Sequence, residues 1–158
     1  MTTTAVPPTS TQLCGVFADV NAAVTAAREA FLAFSDCSLA QRRTFINAVR
    51  EAASQQERLE YMATAAVEET GMGNVHHKVL KNLYAATRTP GVEDLVMEAR
   101  QGDDGLTTLE YSPYGVIGAI TPTTNPTETI ICNTVGMLAA GNTVVFSPHP
   151  RARHLRAW

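Results

Sequence analysis

The stretch that most limits what this chain can fold into lies at residues 116–146. Val116-Ile-Gly-Ala-Ile120 has no polar alternation, so it reads as a short strand buried on both faces. Residues 121–125 follow as a loop. Pro126 suits the first position of a helix, where its missing N–H would have no partner anyway. Ile130, Ile131, Val135 and Leu138 then form a core stripe until Gly141 ends the helix, and Thr143-Val-Val-Phe146 is a second buried strand. Strand, loop, helix and strand within roughly thirty residues make a βαβ unit, which implies a parallel pair and a right-handed crossover.

Everything before it reads differently. Asp19 can cap a helix on which Val20, Ala23, Val24, Ala27, Phe31 and Phe34 keep helical spacing. Ser38-Leu-Ala-Gln41 and Ser54-Gln-Gln-Glu57 are both capping-box patterns, in which the Ser oxygen accepts an orphan N–H and the Gln or Glu reaches back. Phe45, Ile46, Val49 and Ala53 continue the first; Leu59, Met62, Ala63, Ala66 and Val67 continue the second, which Gly71 stops. A fourth helix spans about 75–87 with Val79, Leu80, Leu83 and Ala86 inward, before Thr89-Pro90-Gly91 breaks it. Gly102-Asp-Asp-Gly105 is turn material, and the flanking segments 96–101 and 106–111 can pair across it as an antiparallel ribbon. The expected organisation is a loose tail at 1–12, a helical segment at 13–91, a β-ribbon at 92–112, and at 113–158 the opening of a doubly wound α/β domain that the chain leaves incomplete.

Composition narrows the function classes. Apolar residues make up 45% of the 158 and charged residues 17%, enough for a core and too apolar for wholesale disorder. Twelve basic against fifteen acidic side chains give a net charge of −3, which argues against a dedicated nucleic-acid binder. No run is long and apolar enough to span a bilayer, and the tail lacks the basic and apolar regions of a secretory signal. Cys14, Cys37 and Cys132 form no CxxC pair and stand at no metal-ligand spacing, so neither a disulfide framework nor a metal site is expected and a reducing cytoplasm fits best. His76 and His77 are adjacent on a helix, point apart, and make a poor metal pair.

In an open parallel sheet, ligands bind beyond the carboxyl ends of the strands, which singles out Thr121-Pro-Thr-Thr-Asn-Pro126 and Ser147-Pro-His-Pro150. Asn125 immediately precedes a helix. Its amide oxygen can cap that helix while its amide nitrogen points outward, and such a donor, backed by the positive end of the helix dipole, suits an oxyanion forming on an attacked carbonyl. From these residues alone a plain N-cap remains the simpler reading.

The run Tyr114-Gly-Val-Ile-Gly-Ala-Ile-Thr-Pro-Thr-Thr-Asn-Pro126, followed by Ala139-Ala-Gly-Asn-Thr-Val-Val-Phe-Ser-Pro-His-Pro150, resembles the start of the cofactor domain in the aldehyde dehydrogenase superfamily. More narrowly it is similar to the coenzyme A-acylating branch that acts on acetaldehyde or propionaldehyde, as are Glu69-Thr-Gly-Met-Gly73 and Thr89-Pro-Gly-Val-Glu93 upstream. The resemblance implies a Rossmann-like α/β domain, NAD as cofactor and coenzyme A as co-substrate. It implies that Asn125 donates to the oxyanion of the thiohemiacetal formed when a cysteine thiolate attacks the aldehyde. Thr121, Pro122, Thr123 and Thr124 would line the nicotinamide side, and Ser147, Pro148 and His149 would lie under the adenosine ribose; His149 stands where the wider superfamily has a lysine, and a plain surface histidine is the other reading. Self-association of the full-length form and microcompartment association are the family's expectations for partners, with no nucleic acid and no membrane.

Members of that family are several times longer, and their nucleophilic cysteine lies well downstream. Cys132, mid-helix between apolar neighbours, reads as a buried inert thiol rather than a substitute. The final Arg-Ala-Arg-His-Leu-Arg-Ala-Trp reads as a truncated or frame-altered end rather than a basic arm. The expectation is therefore the N-terminal part of an NAD-linked acylating aldehyde dehydrogenase, inactive alone. A non-catalytic nucleotide-binding or interaction module is the competing class.

Overall fold

A computed structural model describes residues 15–154, so the expected tail and Cys14 lie outside the described residues, as do 155–158. Four helices lead the chain: α1 (Val20–Phe34), α2 (Leu39–Ser54), α3 (Gln56–Thr70) and α4 (Val75–Arg88). A hairpin of β1 (Glu98–Gly102) and β2 (Gly105–Leu109) follows, then β3 (Val116–Thr121), α5 (Pro126–Ala139) and β4 (Thr143–Pro148). β3 and β4 pair in parallel with α5 between them, the βαβ unit expected from the sequence.

The helix starts follow local chemistry. Asp19 accepts the N–H of Ala22, and Ser38 and Gln41 complete a reciprocal capping box. The second expected box does not form. α2 runs on through Ser54, and α3 begins from Gln55, whose extended backbone turns the chain without any side-chain cap bond. A helix that continues through Ser54 spends that residue on its own last turn, which removes it from capping the next. Gly71 ends α3 in the left-handed region at φ 67°, where a Cβ would be strained.

The core gathers around α5. Ile46, Val92, Val135 and Ala139 form one buried cluster between α2, a single 3-10 turn at Val92–Asp94 and α5; Ala85, Ala86 and Ile131 form another between α4 and α5. α1 lies against β4, fixed in part by a hydrogen bond from Thr143 Oγ1 to the carbonyl of Ala27 at 2.9 Å. Asn142, almost fully buried, accepts the N–H groups of Tyr114 and Gly115 at 2.6 and 3.0 Å and so fixes where β3 starts.

Two burial expectations are corrected. On α4 the inward positions are Lys78, Asn82, Ala85 and Ala86, while Leu80 and Leu83 face outward. Lys78 and Asn82 meet Glu128 and Thr127 on α5, and the small Ala85 and Ala86 meet Ile131. On β3 only Ala119 and Thr121 are buried, and Ile120 is 82% exposed, so the strand is covered on one side and not on both. The β1–β2 ribbon pairs with Glu98 opposite Leu109 and Gly102 opposite Gly105, and all ten of its residues are exposed. Among the described residues no helix is long and apolar enough to cross a membrane, and no group of three or more metal-ligating side chains converges.

Candidate active site

The site begins with two lysines one turn apart on α4. Lys78 is 3% exposed, and its Nζ donates to the carbonyl of Thr124 at 2.7 Å. The same ammonium stands 3.6 Å from Glu128 Oε1 in the first turn of α5. A buried cation is tolerated only with such compensation, and the pair satisfies it from both the loop and the helix. Thr127 Oγ1 donates to Asn82 Oδ1 at 2.8 Å and lies 3.1 Å from Glu128 Oε2, which extends the polar seam along the α4–α5 contact. Glu128 also sits where the helix dipole favours a negative charge.

This seam holds the loop that ends in Asn125. Its side chain makes no cap bond to α5. Oδ1 instead accepts Lys81 Nζ at 3.0 Å, across forty-four positions of sequence. An ammonium has only donors, so the amide oxygen faces it, and Nδ2 is left without a hydrogen-bond partner among the described residues. Asn125 lines an open groove of about 860 Å³ between α4 and α5, walled by Leu80, Tyr84, Ala85, Thr129 and Cys132 among others, with Lys81 and Arg88 on its cationic side. The groove is mostly apolar with a few polar groups, the usual make-up of a small-molecule site.

The other expected residues lie outside that groove. Thr121 and Thr123 are buried, whereas Pro122 and Thr124 are exposed. Parallel register sets Ile120 beside Ser147 and Thr121 beside Pro148, so the two loops leave the sheet together at its carboxyl end. Ser147 is exposed, and His149 Nδ1 accepts the N–H of Arg151 at 3.1 Å. None of these seven residues lines the groove; Asn125 is the one member of the expected set that does. Cys132 is half-buried and borders the groove, so it is less enclosed than its apolar neighbours in sequence suggest. Thr89 Oγ1 lies 3.2 Å from its sulfur but also 2.6 Å from the carbonyl of Ala85.

Behind the groove a second clamp fixes the turn after α4. Arg50 Nη2 donates to the carbonyl of Thr89 at 2.8 Å and to Glu93 Oε1 at 2.7 Å. That carboxylate also accepts the N–H of Gly91. Its pKa is held down to about 2, first by the Arg50 hydrogen bond and then by the backbone N–H groups of Glu93 and Gly91.

Sequence reasoning did not find Lys78, Lys81, Asn82 or Glu128. One signal was available: Asn125 and Glu128 stand three apart at a helix start, the spacing of a capping box, which marks Glu128 as a residue with a local task.

The aldehyde dehydrogenase family model matches residues 7–156. The propanal dehydrogenase (CoA-propanoylating) of Citrobacter freundii is 51% identical over 139 residues, which cover 88% of this chain and 30% of that protein. The Rhodopseudomonas palustris propionaldehyde dehydrogenase solved with bound propionyl-CoA superposes with a TM-score of 0.86 at 59% identity, over 89% of this chain and 31% of that one. An engineered glycolyl-CoA reductase with bound NADP+ gives 0.82 at 58% identity, over 85% and 31%. The chain thus spans about 30% of the length of the propanal and acetaldehyde dehydrogenases it matches.

Proposed function

The chain belongs to the aldehyde dehydrogenase family, and we propose that it supplies the oxyanion donor and part of the nicotinamide-cofactor floor of an enzyme converting a short aldehyde, propionaldehyde or acetaldehyde, to its acyl-CoA. The carrying observation is that Asn125 faces a mostly apolar groove with its amide oxygen already occupied by Lys81. Aldehyde enters along the groove between α4 and α5. A cysteine thiolate attacks its carbonyl carbon, and the charge that develops on the carbonyl oxygen is met by Asn125 Nδ2 and by the positive end of α5. The attacking cysteine belongs to the part of the family's length that this chain does not span. Similarity to a CoA-propanoylating enzyme, and to a structure carrying propionyl-CoA, supports the acyl-CoA product.

The residues at the sheet end fit a nicotinamide dinucleotide. Thr121 Oγ1 is buried with no hydrogen-bond partner among the described residues, beside Pro148 at the carboxyl ends of both strands. His149 Nδ1 is occupied as an acceptor, so a neutral ring carries its proton on Nε2, free to donate to a ribose hydroxyl. Ser147 adds a second hydroxyl at the same end of the sheet, on its exposed face. Bound there, NAD would supply the hydride acceptor; the protein's part is to hold it, with Thr121, Pro122, Thr123 and Thr124 on the nicotinamide side and Ser147, Pro148 and His149 on the adenosine side.

The test joins residues 1–150 of this chain to the complementary part of the Citrobacter freundii relative and follows NADH formation from propionaldehyde and CoA. Turnover that falls about 10²-fold or more in kcat for Asn125→Ala is expected. An unchanged kcat in that variant would overturn the assignment. The 158-residue chain by itself is expected to give no turnover.

A further inference from the structure

We propose that Lys81 is a positioning residue for Asn125: its ammonium aims the amide nitrogen at the groove and polarises it as a donor. This rests on the oxyanion reading of Asn125.

Three observations carry it. First, Asn125 occupies the N-cap position of α5, yet its side chain bonds none of the helix N–H groups. Asp19, Ser38 and Asn74, at the equivalent positions of α1, α2 and α4, all do so. Asn is among the best capping residues, so in the absence of competition its oxygen would turn towards the N–H of Thr127 or Glu128. Lys81 Nζ, 3.0 Å from Oδ1, is the competitor. Second, Lys81 has no other engagement, since among the described residues it forms no ion pair. Glu128, the carboxylate that lines the same groove, is already matched by Lys78. Third, Lys78 fixes the backbone of Thr124 one helical turn earlier, so the loop is held still while Lys81 selects the orientation of the next side chain.

Two consequences for the chemistry follow. With Oδ1 tied to an ammonium, Nδ2 is preorganised and does not have to be recovered from a capping rotamer when the substrate arrives. A positive charge on the oxygen also draws electron density across the amide, which strengthens the N–H as a donor to a negative oxygen. Removing Lys81 therefore turns a catalytic amide back into a helix cap.

The geometry is tested in the 158-residue chain by 15N NMR, with the Asn125 side-chain resonances identified by their loss in Asn125→Ala. Lys81→Met is expected to shift them and Lys81→Arg to leave them near their original positions. Resonances unmoved by Lys81→Met would overturn the proposal. The chemical role is tested by a double-mutant cycle in the joined enzyme. Lys81→Met is expected to lower kcat about 3- to 10-fold, with KM for the aldehyde within about twofold, and to add no loss in the Asn125→Ala background. Lys81→Arg should recover most of the rate. Equal losses in both backgrounds would overturn the proposal while leaving Asn125 as oxyanion donor. A failure of that earlier assignment shows separately, as no effect of Asn125→Ala.

Discussion

Lys78 Nζ donates to the carbonyl of Thr124 at 2.7 Å, so helix α4 holds the chain at the residue immediately before Asn125. Its counter-ion Glu128 lies on α5, and both side chains are almost wholly shielded from water, at 4% and 10% exposure. Lys78→Met is expected to destabilise the chain by about 3 kcal/mol, because it leaves a buried carboxylate without its cation. Combining it with Glu128→Leu should recover most of that loss. Urea unfolding of the single and double variants measures both; a double variant no more stable than Lys78→Met would count against the ion pair as the cause.

Glu93 gives the fold an acid limit. Its pKa of about 2 lies below the ordinary 4.5, so its contribution to stability is complete above pH 4.5 and fades as pH falls towards 2. Its side chain is 49% exposed, and solvent screening limits that contribution to about 1 kcal/mol or less. Glu93→Gln should therefore be slightly less stable than the parent at pH 7, with the two curves converging as pH drops through this window. A gap of constant size down to pH 2 would refute the linkage.

Gly141 ends α5 at φ +82°, and a Cβ built there would lie 2.6 Å from Arg42 Nη1. Making room for it means moving the Arg42 guanidinium, which stacks over the ring of Phe34 at 5.6 Å. Gly141→Ala combines backbone strain with this clash and should cost about 1–3 kcal/mol, readable as a lowered thermal midpoint.

Cys132 borders the groove, and among the described residues the hydrogen-bond partner of its sulfur is the hydroxyl of Thr89, which is no base. Thr89 Oγ1 has one proton, and the carbonyl of Ala85 at 2.6 Å competes for it with the sulfur at 3.2 Å. In the joined enzyme Cys132→Ser should keep kcat within about twofold of the parent, as expected of a residue that takes no part in the chemistry. Loss of turnover would make Cys132 the nucleophile.

The parts that could be read from sequence are those governed by neighbours along the chain. Asp19 and Ser38 cap helices because a side-chain oxygen reaches an N–H three residues on, and the Gly102–Gly105 turn sets the ribbon register for the same local reason. Pro126 and Gly141 bracket α5 by what each residue does to its own backbone. Ser54 misled because two helices competed for it, and only the packed structure shows that α2 takes it. The α4 reading failed at Leu80 and Leu83 because the inward face is carried by Lys78 and Asn82, which meet a carboxylate and a hydroxyl on α5, and by the small Ala85 and Ala86 against Ile131. Asn125 was found from its place after a strand and before a helix. Lys81, forty-four positions away, carries no mark in sequence that it would meet that amide.

The β1–β2 ribbon closes on itself: among the described residues its ladder runs only between its own strands, and all ten of its residues are exposed. Damage there should stay there. A protease that nicks between Asp103 and Asp104 would free two short ends while leaving α4, α5 and the hold on Thr124 as they were, so the cut chain should keep the unfolding midpoint of the intact one.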